Sequence, residues 1–181
     1  MAPKDGPPPP VLLKLARETV TLDHLSNGRL TLCAGVGDLE DITYAAFGEE
    51  TDVRVRAGIV DEALEVLTGM WSGTPFSYHG THFRVSEMSC LPRPVQQPRI
   101  PIWIGGHTPT PARCARAARW DGACLYPAVA PAALKMAGNA FLPQQVTAIR
   151  RFIESHRTSP DPFDIVAGAR NVGRTATVRK S

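Results

Sequence analysis

The sequence predicts an α/β fold with about four parallel core strands. Short apolar runs of strand length alternate with amphipathic stretches of helix length, most clearly over residues 101–168. Strands separated by helices indicate βαβ units, and therefore a parallel sheet with right-handed crossovers. The chain has 181 residues, whereas a closed eight-stranded α/β barrel usually needs about 250. A complete barrel is therefore not expected.

The first half of the chain begins with a helix. Apolar residues over 11–25 recur at intervals of three and four, which is typical of a helix with one buried stripe. Gly28 is expected to end this helix, since glycine adopts the left-handed conformation readily. The run RLTLCAGVG that follows suits a strand buried on both faces. A second helix is expected over 51–71, where a glycine and a proline then stop it.

The middle of the chain predicts a hairpin and a connector. FSYHGTHFRV is typical of two short strands around Gly80, and we expect this glycine to supply the positive φ of a tight turn. Three prolines within residues 91–99 predict an irregular segment.

The second half shows the clearest alternation. IPIWIGG predicts a buried strand, and Thr110 followed by Pro111 predicts the start of a helix that runs to Trp120. Further strands are expected at residues 122–126 and 163–167, and further helices at 131–137 and 143–156.

Shifts in composition divide the chain into three parts. Residues 1–10 are expected to form a disordered proline-rich leader, because consecutive prolines restrict the backbone to extended conformations. Residues 11–169 are expected to form the folded domain. Residues 170–181 are predicted to be a basic disordered tail.

Composition and charge limit the class of protein. No apolar run reaches the roughly 18 to 20 residues of a membrane span, and the N-terminal segment lacks the apolar core of a signal peptide. A cytoplasmic location is expected, with the four cysteines reduced and mostly buried. From residue 110 onward eleven basic residues face four acidic ones, but they are dispersed and have few aromatic neighbours. No nucleic-acid or membrane partner is expected, although a site for one small phosphate would fit.

Two strand ends are the candidate ligand sites. Ligands of parallel α/β proteins bind at the carboxyl ends of strands, where glycine allows a close approach of the backbone. The alternative interpretation of each segment is a tight turn without a ligand. The two candidate segments are Gly35-Val36-Gly37-Asp38 and Gly105-Gly106-His107-Thr108.

No metal site is expected from the histidines. His79 and His82 are three residues apart, a spacing that brings two ligands to one face of a helix but fixes no ligand geometry on strands around a turn. The three tryptophans are expected to pack in the core rather than to stack on bases.

Several stretches, taken together and in order, resemble the bacterial luciferase-like family of flavin- or deazaflavin-dependent oxidoreductases. The family implies a TIM (β/α)8 barrel, whose fourth to seventh strands correspond to the strands predicted here. Strands one to three and strand eight have no counterpart, so the resemblance implies a partial, apparently truncated barrel. The resembling stretches are LARETVTLDHLSNGRLTLCAGVG, AAFGEETDVRVRAGIVDEALEVLTGMWSG, PFSYHGTHFRV, LPRPVQQPRIPIWIGG and AARWDGACLYP.

The resemblance also implies a cofactor, FMN or coenzyme F420. The loop after the fifth family strand helps to hold the cofactor phosphate, and it falls on the segment that ends the strand IPIWIGG. Asp38 is the candidate general acid or base, provided that desolvation raises its pKa; the alternative is a helix cap. The cofactor-binding candidates are Val36, Gly37, Gly105, Gly106, His107 and Thr108.

Two functions stay open at this point. The first is a monooxygenase or other oxidoreductase that acts on an unknown small organic substrate. The second is a non-catalytic remnant of the family, or a fragment that forms homo-oligomers through exposed sheet edges.

Overall fold

The computed structural model describes residues 10–37, 41–107, 110–126, 141, 143–167 and 176–178. It divides into a first unit, residues 1–32 and 36–100, and a second unit, residues 33–35 and 101–181. None of the helices within the described ranges has the length and apolarity needed to cross a membrane. In chain order the elements are α1 (Pro10–Leu25), β1 (Leu32–Ala34), α2 (Thr43–Ala46), α3 (Val53–Trp71), β2 (Phe76–His79), β3 (Arg84–Met88), β4 (Ile102–His107), α4 (Pro111–Ala117), β5 (Gly122–Tyr126), α5 (Pro143–His156), β6 (Asp164–Ala167) and β7 (Ala176–Val178).

In the first unit, α1 packs against α3. Trp71, at the end of α3, is 1% exposed, and its Nε1 donates to the carbonyl oxygen of Ala16 over 3.3 Å. Beyond α1, Asn27 and Gly28 have φ of 54° and 74°, and the Gly28 N–H donates to the carbonyl of Asp23 at 2.9 Å. This geometry is a helix C-terminus closed by left-handed residues. The predicted end of the first helix is therefore confirmed.

The second predicted helix is also present, with a later start. Asp52 is its N-cap, because the carboxylate accepts from the N–H groups of Arg54 and Val55. The helix consequently begins at Val53 rather than at Thr51. The short α2 within the preceding acidic loop was not predicted.

The hairpin is confirmed, but the predicted reason for its glycine is wrong. β2 and β3 pair antiparallel, and the Gly80 N–H donates to the carbonyl of Phe83 at 2.8 Å. Gly80 is not among the glycines with a positive φ. A Cβ at this position would instead collide with the carboxylate of Glu62 on α3. Glycine is needed here because a side chain from another element approaches the backbone closely.

The second unit contains a five-stranded sheet in the order β1-β4-β5-β6-β7. β4, β5 and β6 are parallel, with Ile104 beside Ala123 and Ala123 beside Ile165. The α/β fold with four parallel core strands is confirmed. β7 pairs antiparallel with β6 and lies within the tail that the sequence predicted to be disordered. The leader at 1–9 and the helix predicted at 131–137 lie outside the described residues.

Alternate residues of β4 and β5 point to opposite faces of this sheet. One face, the helix face, is formed by Ile102, Ile104, Ala123 and Leu125, which are at most 1% exposed. α4 packs on β4 and β5, and α5 packs on α4. The opposite face carries the side chains that alternate with these four.

Candidate functional site

The first candidate strand end, in the first unit, is closed over by a tyrosine. Gly37 has a φ of 78°, and a Cβ there would overlap the hydroxyl of Tyr44. The guanidinium of Arg56 lies 4.4 Å from the centroid of the Tyr44 ring, and Arg56 is only 7% exposed. This cation–π contact fixes the ring over the glycine. Val36 is half-buried.

Asp41 is the first acidic residue after this strand end that the structure describes. Its carboxylate accepts hydrogen bonds from the hydroxyl and the N–H of Thr43, at 2.6 and 2.9 Å. These bonds, with a smaller contribution from Arg56, hold the pKa of Asp41 below its ordinary value. Asp41 is therefore ionised at neutral pH and organises the start of α2. Asp38 lies outside the described residues, and its assignment as an acid or base stays a prediction.

The second candidate strand end, in the second unit, brings an arginine onto a glycine. Gly106 has a φ of 154°, and a Cβ there would lie 2.6 Å from Nε of Arg113. Arg113 is in the first turn of α4, whose N-cap Thr110 accepts from the Arg113 N–H through its hydroxyl oxygen at 3.3 Å. The guanidinium thus stands directly over the backbone at the end of β4.

Burial is the main cause that lowers the pKa of Arg113, and the neighbouring Arg116 adds to it. A guanidinium in this situation is partly desolvated and lies beside a second positive charge, so an anion placed here would be stabilised. Of the two predicted residues that follow Gly106, the structure describes only His107. The backbone of His107 closes β4, whereas Thr108 lies outside the described residues.

Arg113 was missed by the sequence analysis. The available signal was its position three residues after the N-cap threonine, in the first turn of the helix that follows the glycine pair. A side chain there reaches back toward the preceding strand, because helical side chains tilt toward the N-terminus. At Gly105 a Cβ would lie 2.9 Å from Sγ of Cys33, so the Cys33 side chain packs against this glycine; the assignment of Gly105 to the cofactor stays a prediction.

The remaining candidates are accounted for by packing. The N–H of His82 donates to Glu62 at 2.8 Å, and a Cβ at Gly58 would meet Nε2 of the His82 ring at 2.8 Å. His82 therefore faces α3. Among the residues that the structure describes, no three His, Cys, Asp or Glu side chains are arranged to hold a metal ion. Trp71 is buried as expected, and Trp103 packs over Gly122 of the neighbouring strand.

Comparisons with known proteins agree with this architecture. The family model of the luciferase-like monooxygenases matches residues 10–172. A solved monooxygenase from Streptomyces bottropensis superimposes with a TM-score of 0.61 at 28% identity, over 85% of this chain and 44% of that one.

Curated relatives match shorter stretches. An uncharacterized protein of Sinorhizobium fredii is 38% identical over 64% of this chain and 33% of its own length. An FMNH2-dependent dimethylsulfone monooxygenase of Pseudomonas putida is 32% identical over 56% of this chain and 27% of its own length. An F420-dependent glucose-6-phosphate dehydrogenase of Microbacterium testaceum is 29% identical over 56% of this chain and 29% of its own length.

The chain thus spans about a third of the length of these curated relatives and less than half of the solved monooxygenase. The family model nevertheless covers most of the chain, from the first helix to just beyond β6. The chain belongs to the luciferase-like monooxygenase family.

Proposed function

We propose that this chain supplies the phosphate-binding strand end of a flavin or F420 site in an oxidoreductase that acts on a small organic molecule. Membership of the family supports the class of reaction. The names of two relatives support the two cofactors, FMNH2 in a monooxygenase and F420 in a dehydrogenase. When bound, such a cofactor supplies the hydride or oxygen chemistry, and the protein binds and orients it.

The position of Arg113 over Gly106 is the observation that carries this proposal. Because Gly106 has no side chain, the guanidinium of Arg113 lies directly against the backbone at the end of β4. A phosphate fits both features, because arginine recognises its oxygens through a planar fork of donors. The residues present therefore fit a phosphorylated cofactor.

The other predicted residues complete the proposed site. Besides the Arg113 guanidinium, we assign phosphate contacts to the Thr108 hydroxyl and to the backbone at His107. Val36 and Gly37 are proposed as further cofactor contacts, as the family resemblance implies. Asp38 is proposed as the group that gives or takes a proton, which is the role that the sequence predicts for it.

The test compares FMN with riboflavin, which lacks only the phosphate. Fluorescence titration of the purified chain gives both dissociation constants, and a titration with F420 decides which cofactor binds more tightly. Arg113→Gln removes the charge while keeping a side chain of similar shape. Since a hydrogen bond to a charged group contributes about 1.5–3 kcal/mol, and about 1.4 kcal/mol is tenfold in affinity, we expect FMN binding to weaken at least tenfold.

Riboflavin binding should stay within about twofold in the same variant, because the lost contact is to phosphate. Arg119→Gln is the matched control: it changes the same charge at an exposed position beyond α4, and should leave both constants unchanged. Equal weakening of FMN and riboflavin would contradict the assignment of Arg113 to the phosphate. Failure of FMN and F420 to bind the wild-type chain would refute the proposed function itself.

A second candidate function is a non-catalytic member of the family that forms homo-oligomers. It is favoured by large apolar side chains that are solvent-exposed in the first unit: Leu25, Ile42 and Phe47, at 78%, 83% and 84%. Within the described sheet β1 lies at one edge, and an uncovered strand edge is a template for pairing. Sedimentation velocity over a hundredfold range of concentration should then show association. A monomer throughout this range would remove this candidate.

A further inference from the structure

Two cysteines meet on the face of the second unit's sheet opposite its helix face. Cys33 is in β1 and Cys124 is in β5, and β4 lies between the two strands. Gly105 of β4 is the register partner of Cys124. A Cβ at Gly105 would lie 2.9 Å from Sγ of Cys33, so the Cys33 side chain packs against this glycine. Register partners on parallel strands point to the same face. The two thiols therefore converge over Gly105, which is the position without a side chain on this face of β4.

The surroundings of the two thiols differ from those of the other cysteines. Burial, followed by charge and hydrogen-bond interactions with Cys124, raises the pKa of Cys33 to about 11. The Cys124 thiol also donates to the Tyr126 hydroxyl over 3.3 Å. Cys33 is exposed as a whole residue although its thiol is partly desolvated, and Cys124 is half-buried, whereas Cys90 and Cys114 are buried. A reagent in solution thus has access to this pair in preference to the buried cysteines.

A disulfide does not suit this geometry. Adjacent strands are about 4.8 Å apart, so Cα atoms two strands apart are separated by about 10 Å. A disulfide requires a Cα separation below about 7 Å. Closing one would require the two outer strands to move toward each other across β4. The two side chains already lie within hydrogen-bonding distance of each other, so an atom that bridges the two sulfurs requires less movement of the strands than a disulfide does.

We propose that Cys33 and Cys124 form a dithiol site for a trivalent arsenical. Trivalent arsenic is a soft centre that prefers thiolate ligands, and it needs only two protein sulfurs when it carries one organic group. Structural zinc, by contrast, takes four protein ligands. The site is independent of the proposed cofactor, because neither thiol is assigned to it.

The reaction with phenylarsine oxide balances without a redox step. Two As–S bonds form, the bond between arsenic and oxygen breaks, and the two thiol protons leave with that oxygen as water. Arsenic and sulfur keep their oxidation states. The thiolate is the reacting form of cysteine, so the raised pKa of Cys33 slows the reaction without changing its product.

The experiment is intact-mass spectrometry of the folded chain with one equivalent of phenylarsine oxide. We expect one adduct, with the mass of the reagent less one water. Cys33→Ser and Cys124→Ser should each abolish the adduct at this stoichiometry. The matched controls, Cys90→Ser and Cys114→Ser, should keep it, since those thiols are buried.

Peptide mapping of the wild-type adduct provides a second measurement that requires no variant to fold. Arsenic should link the peptide containing Cys33 to the peptide containing Cys124. Absence of an adduct on the folded wild-type chain, a link to any other cysteine, or full retention of the adduct in either serine variant would overturn the proposal. These outcomes are separate from cofactor binding, because no flavin is present in the assay.

Discussion

Replacing Asp23 with alanine should strongly destabilise the first unit. Asp23 is in the last turns of α1 and is 0% exposed. Its two carboxylate oxygens accept hydrogen bonds from Gln96, at 3.0 Å from the backbone N–H and at 2.7 Å from the side-chain amide. The same amide donates to the carbonyl of Leu30 at 2.7 Å. Gln96 thus ties the end of α1, the chain before β1 and the irregular connector together.

The expected size of the effect follows from these two bonds. A hydrogen bond to a charged group contributes about 1.5–3 kcal/mol, so losing both lowers the free energy of unfolding by about 3–6 kcal/mol. Part of this loss comes from the Gln96 N–H, which is left without its acceptor in a part-buried site. Asp23→Asn should have a smaller effect, because the amide keeps one acceptor oxygen but places its own donor against a second donor.

The assay is urea unfolding followed by the fluorescence of Trp71, which donates to Ala16 of α1 and therefore reports the packing of that helix. A background with Trp103→Phe and Trp120→Phe leaves Trp71 as the sole tryptophan of the three. Glu18→Ala is the control on the same helix: its ion pair with Lys14 is exposed, and its loss should change stability by less than about 0.5 kcal/mol. A change below about 1 kcal/mol in Asp23→Ala would refute the reasoning.

Two further predictions concern the first unit. Burial opposes ionisation of Glu62, but N–H groups of His82, Thr81 and Phe83 lower its pKa below the ordinary 4.5. The pKa of Glu62 is thus lower in the folded chain than in the unfolded chain. The ionised carboxylate therefore stabilises the fold above pH 4.5, and this stabilisation is lost as pH falls through the pKa of the folded chain. Amide chemical shifts of residues 81–83 should titrate together with a midpoint below 4.5, whereas Glu62→Gln should abolish the transition. Gly37→Ala should lower the free energy of unfolding by about 2–3 kcal/mol, because alanine is strained at this φ and its Cβ would also overlap Tyr44. Gly48→Ala is the control and should cost only about 1 kcal/mol, because Gly48 has a similar φ of 71° but nothing within 4 Å of its missing Cβ. Equal losses in urea unfolding would contradict the role of Tyr44.

The sequence predicted what depends on local pattern. Helix α5 has the predicted bounds, since a periodic apolar stripe and an initial proline act within a few residues. The left-handed end of α1 was predicted on the same basis, from Asn27 and Gly28. The parallel sheet followed from alternation of elements along the chain, which constrains topology without specifying any contact.

The sequence did not predict contacts between distant segments. Glu62 binds the hairpin turn from 19 to 21 residues away, and Cys33 reaches Gly105 from another strand. No local pattern in the sequence indicates either contact. β7 was missed because its pairing with β6 uses the backbone, which every residue carries. Asp38 and Thr108 stay predictions, because both lie outside the described residues.

The two glycines at the end of β4 have different roles, although the sequence suggested one turn. Gly105 points to the face that carries Cys124, and its missing side chain leaves room for Cys33. Gly106 points to the helix face, where Arg113 of α4 occupies the corresponding space. Because consecutive residues of a strand project to opposite sides, the two missing side chains leave space on opposite faces of the sheet, and Cys33 fills one space while Arg113 fills the other. The dithiol lies on one side of the sheet and the proposed phosphate contact on the other. A side chain introduced at Gly105 would therefore displace Cys33 directly and affect Arg113 only through the backbone, whereas a side chain introduced at Gly106 would displace Arg113 directly and affect Cys33 only through the backbone.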